Sequence, residues 1–169
     1  MNILMIANFI ALLASSLAIF VGIIKNRDKI IILQVIQSFL FSISNFLLGG
    51  FSGFFSNLIN IIRNILCYKN KLTKDIIVLL IFVLMIFTFK FNNLGLIGLL
   101  PFFSTVIYTI FINEKNPVKF KLLVAGTVFF WFIHDLFIKS YTSAIFNLFN
   151  FLLSLITAFN LYNTKQSTE

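Results

Sequence analysis

With one cysteine and one histidine in 169 residues, the chain lacks most of the side chains from which disulfide frameworks, structural metal sites and nucleophile–base pairs are built. Cys67 has no second thiol to pair with and reads as a packing residue. His134 has no second imidazole beside it, so neither a ligand set nor a catalytic dyad can be assembled from the sequence. No catalytic residue, metal or cofactor is expected, and the chain reads as a non-enzyme. It contains no Gly-rich phosphate loop and no haem, nucleotide or flavin signature. Charge is scarce as well: 11% of residues are charged, against about 25% in soluble domains, which excludes a soluble fold.

What remains is apolar. The chain is 60% hydrophobic with a mean hydropathy of +1.03, and its apolar runs are long and unbroken. About 20 such residues span a bilayer as a helix. In lipid, helices and closed barrels are the only spanning options, and barrel strands would alternate polar and apolar, which these runs do not. The 24 phenylalanines then read as lipid-facing and packing mass. The formal charge of +8 does not point to nucleic acid, because the basic residues sit in short gaps between apolar runs instead of on one accessible face. Residues 1–9 lack the basic start and cleavage site of a secretory signal, so the first run is expected to stay in the mature protein.

Reading the runs between charged, Gly and Asn punctuation predicts helices over 3–24, 30–48, 51–68, 76–89, 94–112, 122–138 and 141–161. A six-helix parse competes, since the fourth run is short and the third polar. Charge favours seven. With seven spans, Lys25, Arg27, Lys29, Lys69, Lys71, Lys74, Lys115, Lys119, Lys121 and Lys165 fall on one side, and only Lys90 and Lys139 on the other. Cytoplasmic flanks are the Lys/Arg-rich ones, so the N-terminus is expected outside and the C-terminus in the cytoplasm, followed by a polar tail over 163–169.

Sliding the chain on itself sets Asn57 on Asn147, Asn60 on Asn150, Lys25-Asn26 on Lys115-Asn116 and Lys29 on Lys119. The expected organisation is therefore an all-α polytopic membrane protein with a three-helix repeat over 1–70, a spacer helix over 71–92 and a second three-helix repeat over 93–162. An odd spacer makes the repeats parallel, a recurrent transporter plan with the site near the midplane between the halves.

Several short pieces carry a resemblance: Asn26-Arg27-Asp28, Leu33-Gln34, Phe46-Leu47-Leu48-Gly49 and Asn60-Ile61-Ile62-Arg63 in the first half, and Leu99-Leu100-Pro101, Ser104-Thr105 and Trp131-Phe132-Ile133-His134 in the second. In order and spacing they resemble the YgjV family of bacterial inner-membrane proteins, over nearly the whole chain. That family is distantly similar to the SWEET and PQ-loop transporters, so the resemblance implies a SWEET-like three-plus-one-plus-three fold in the bacterial cytoplasmic membrane, and no particular substrate. The sequence departs from the PQ-loop pattern, because Gln34 and Gln37 have no proline beside them and Pro101 and Pro117 are the only prolines. If the implied rocking motion needs hinges, Gly22, Gly53 and Gly126 are the candidates.

Candidate functional residues are polar groups inside the runs. Asn57, Asn60 and Asn64 share one face of the third helix, and Asn147, Asn150 and Ser154 repeat the spacing in the seventh. Asn offers donors and an acceptor without charge, which suits a small neutral polar solute; the resemblance implies asparagines on these two helices for that task. The structural alternative is interhelical glue. Gln37 and Trp131 are further candidate lining residues, as are Gln34, Ser15, Ser16, Ser104 and Thr105, whose hydroxyls can instead bond within their own helices. Arg63, alone well inside a run, can snorkel, bind an anion or pair with Asp28. His134 and Asp135 are the candidates for proton coupling, with an ordinary Asp135–Lys139 ion pair as the alternative. The functional expectation is a SWEET-like permease for a small polar solute, or else a non-transporting membrane scaffold; bilayer, solute and a homo-oligomer are the partners the sequence admits, and nucleic acid is not.

Overall fold

The computed structural model describes residues 2–166, with side chains through Thr164. These residues form seven α-helices: α1 Ile3–Ile23, α2 Arg27–Leu47, α3 Phe51–Tyr68, α4 Lys74–Phe91, α5 Leu100–Phe111, α6 Pro117–Phe137 and α7 Tyr141–Gln166. Local chemistry sets their starts. Asn2, Asn26, Thr73 and Asn116 accept hydrogen bonds from first-turn amides of α1, α2, α4 and α6. Pro117 opens α6 where a missing N–H costs nothing. Two differences from the hydropathy reading have local causes. The run expected to start at 94 is a turn and a 3₁₀ segment, Ile97–Leu99, before α5 begins beside Pro101. Helix α7 continues to Gln166, so part of the expected tail is helical; residues 167–169 and the Lys165 side chain lie outside the described residues.

Four helices, α1, α2, α6 and α7, are long and apolar enough to cross a membrane. Helix α3 is diluted by Asn57, Asn60, Arg63 and Asn64, α4 carries Lys74, Asp75 and Lys90 at its ends, and α5 is short. Around the molecule the principal neighbours run α1, α2, α3, α5, α6, α7 and back to α1, with α4 lying outside against α3 and α5. Small residues make the closest approaches. Helix α1 buries Ala7, Ala11, Ala14, Ser15, Ala18 and Gly22 on one face, so its backbone can near α2 and α7. Gly22 and Gly53 are points of close contact: a Cβ on Gly22 would lie 2.8 Å from Asn150 Oδ1, and one on Gly53 2.8 Å from Asn45 Oδ1.

The usual distribution of polarity is inverted. Ser, Thr and Asn crowd the buried positions while Phe, Ile and Leu point outward on every α-helix, as expected where the surroundings are acyl chains. An apolar cluster of Val21, Ile30, Ile31, Tyr108, Ile112, Phe120 and Val124 closes one end of the bundle. At that end Arg27 joins three elements, donating to the Ile112 carbonyl at 3.0 Å, to Asn113 Oδ1 at 3.1 Å and to Cys67 Sγ at 2.9 Å. Asp28 pairs with Arg27, not with Arg63. Lys25, Lys69, Lys71 and Lys115 surround the same end as exposed side chains. Lys121, expected among these flanking charges, is instead 1% exposed and donates to the carbonyls of Val21 and Gly22 at 2.7 and 2.8 Å, capping the end of α1. At the opposite end, Asn93 Nδ2 donates to the Gly49 carbonyl at 2.9 Å.

Candidate functional site

The ring of helices surrounds a cavity of about 80 Å³, roughly five times the space one water needs. Each wall comes from a polar face whose period is helical. Helix α3 contributes Asn57, Asn60, Arg63 and Asn64; α2 contributes Gln34, Gln37, Ser38, Phe41 and Asn45; α7 contributes Asn147 and Asn150. Ser104, Thr105 and Tyr108 of α5 and Thr127, Val128, Trp131 and Asp135 of α6 complete it, with Val21 from α1. Helix α4 supplies none of these residues.

Of the residues expected to line a solute site, Asn57, Asn60, Asn147, Asn150, Gln37, Trp131, Gln34, Ser104 and Thr105 border this one space, and so does Asp135. Ser15 and Ser16 are not among its lining residues. Ser16 is exposed and donates to the Leu13 carbonyl within its own helix at 2.8 Å. The amides differ in what they are free to do. Asn57 Nδ2 donates to the Gly53 carbonyl at 3.0 Å, and Asn147 Nδ2 to Asp135 Oδ2 at 2.9 Å. Asn150 Oδ1 accepts from Ser154 at 3.3 Å. By contrast, Asn60 Oδ1, Asn64 Nδ2 and Thr105 Oγ1 are buried without a hydrogen-bond partner among the described residues. A buried polar atom left unpaired costs about 1–3 kcal/mol, and three such atoms belong to residues that border this one cavity.

The two ends of the cavity hold ionisable side chains of opposite type, Arg63 and Asp135. Towards the lysine-rich end lies Arg63, 3% exposed, so it does not snorkel. Its Nε and Nη2 donate to Asn64 Oδ1 at 3.0 and 2.8 Å, and its Nη1 to Thr109 Oγ1 at 3.3 Å. Its guanidinium lies 4.4 Å from the Tyr108 ring centroid, a cation–π contact, and the Tyr108 hydroxyl donates to Gln34 Oε1 at 2.9 Å. No carboxylate among the described residues pairs with Arg63.

At the other end, Asp135 is 3% exposed. It lies 3.2 Å from His134 Nδ1 through Oδ1 and accepts from Asn147 through Oδ2. The expected alternative, an ion pair with Lys139, does not form: Lys139 lies past the end of α6 at φ 60° and is exposed. His134 stands behind the wall, fully buried, its ring edge-on to Trp131 at 5.7 Å between centroids. His134 Nε2 has no partner among the described residues.

Tyr108, Thr127 and Asn45 were not singled out from the sequence. For all three the signal was present: Ser104, Thr105, Tyr108 and Thr109 share one helix face, Asn45 continues the face of Gln34 and Ser38, and Thr127 that of Trp131 and Asp135.

A family model described as a bacterial inner membrane protein, Imp-YgjV, matches residues 5–165. No curated protein matches the chain. No solved structure matches it either.

Proposed function

Because the chain belongs to the Imp-YgjV family of bacterial inner membrane proteins, we propose that it is a small permease that passes a polar solute through the central cavity by alternating access. The observation that carries this reading is the cavity itself, a space lined from six of the seven helices by a majority of polar residues, among them Asn60, Asn64 and Thr105, each with an unpartnered side-chain atom. All seven helices then cross the bilayer, in two parallel three-helix repeats with α4 as spacer. Three features support that arrangement. Asn26 caps α2 as Asn116 caps α6. Gly49 and Lys139, which overlay, both turn the chain with positive φ. The ring closes through α3 against α5 and α7 against α1, pairs that are equivalent under the repeat. The lysine-rich end is cytoplasmic by the positive-inside rule, which puts the N-terminus outside, and the apolar cluster there holds the path shut on that side. The chain is read as a carrier, not a catalyst.

Uptake of a solute panel into proteoliposomes tests the permease. Solute-specific flux is expected, and Asn60→Ala with Asn150→Ala should reduce it at least tenfold; unchanged flux in the double variant removes the site assignment. One observation favours a second reading, a non-transporting scaffold: Asn147 of α7 donates across the helix interface to Asp135 of α6. It predicts that the same substitutions lower stability in detergent and that no solute moves.

A further inference from the structure

We propose, resting on the permease reading, that the solute is a small zwitterion whose carboxylate is held by Arg63 and whose ammonium is held by Asp135. Both side chains border one cavity, both are nine-tenths buried or more, and they are not paired with each other. A charge inside a membrane span without an opposite partner is costly. Arg63 has only neutral acceptors, Asn64 Oδ1 and Thr109 Oγ1, and an aromatic face. Those bonds leave part of its five-donor fork for an oxyanion such as a carboxylate, which its planar geometry matches. Asp135 is acceptor-only when ionised, and two groups already hold it in place, His134 Nδ1 and Asn147 Nδ2.

The two groups also lie at different levels of the bundle. Asp135 is bonded to Asn147, which lies in the second turn of α7 as Asn57 lies in the second turn of α3. Arg63 is six residues further along α3 than Asn57, a rise of about 9 Å at 1.5 Å per residue. Between them lie uncharged groups, among them Asn60, Gln37 and Asn150. Asp135 has the His134 imidazole as its one ionisable neighbour among the described residues, so an uncharged polyol or a simple cation would leave Arg63 without an opposite charge, and a simple anion would leave Asp135 with His134 alone. A zwitterion satisfies both ends and crosses with no net charge.

The test is proteoliposome flux, corrected for protein-free vesicles, of alanine, β-alanine and γ-aminobutyrate against glycerate, choline and erythritol. At least one zwitterion should move tenfold faster than all three single-feature solutes. Arg63→Gln should collapse its advantage over choline, and Asp135→Asn its advantage over glycerate. The wild-type panel decides the matter even if a variant fails to fold. Erythritol moving as fast as the zwitterions would overturn the inference and keep the permease, as would glycerate or choline doing so. If no member moves, and none raises the melting temperature in detergent, the permease reading and the inference fall together.

Discussion

Lys121 and Arg63 are two buried cations with opposite kinds of surroundings. The ammonium of Lys121 meets two backbone carbonyls at the end of α1, groups that a helix terminus leaves unpaired, so the charge is consumed by structure. Arg63 meets neutral side-chain acceptors on the edge of a cavity, so part of its hydrogen-bonding capacity remains open. From the sequence, Lys121 counts as one more flanking charge, because hydropathy registers that a lysine is near a helix start and not where its long stem leads. Lys121→Met should lower stability in detergent by about 1–3 kcal/mol, the cost of leaving a buried acceptor unsatisfied, while sparing solute selectivity. A shift in denaturation midpoint measures the first and the flux panel the second. A variant as stable as the parent would show that water replaces the ammonium.

Among the elements, α1 and α3 divide the labour. Helix α1 presents an almost featureless face of Ala, Ser and Gly, whose function is closeness: Leu153 of α7 and Asn150 lie against Gly22. Helix α3 buries its polar residues and turns Ile62 and Ile65 outward. The periodicity of both faces was legible in the sequence, because a helix repeats its sides every 3.6 residues. Which neighbour each face meets was not. Gly22→Ala places a methyl 2.8 Å from Asn150 Oδ1 and 3.1 Å from Leu153 Cβ. Overpacking of this sort costs about 1–3 kcal/mol, and it also displaces Asn150 from Ser154. Gly22→Ala should therefore reduce both thermal stability and flux, whereas Gly126→Ala, with nothing within 4 Å of the added carbon, should leave both near the parent values. Equal effects from the two would separate Gly22 from the site.

For the whole molecule, the hydrogen bonds of Arg27 draw together the ends of α3 and α5 and the start of α2, and Asn93 joins the opposite loops. Alternate loops thus occupy alternate ends, and the exposed lysines concentrate at one of them. In a Cys67→Ser background, single cysteines at Lys25, Lys71 and Lys115 should resist a membrane-impermeant maleimide added to intact cells, while cysteines at Asn93 and Lys139 should react. Lys25 and Lys115 on opposite sides of the membrane would end the parallel-repeat reading.

The sequence by itself determined that this chain is helical and belongs in a membrane, where its helices lie, and which side chains are polar enough to demand partners; those properties follow from composition and from spacing along one helix. Only the tertiary structure decided what the partners are. It placed Asn60 and Arg63 on a cavity, spent Lys121 on a helix end, turned Asp135 to Asn147 instead of Lys139, and sent Ser16 outward. The physical reason is that a polar group in an apolar surrounding must find its counterpart across helix interfaces. Rotation and approach of neighbouring helices set those interfaces, and no single run of sequence contains them.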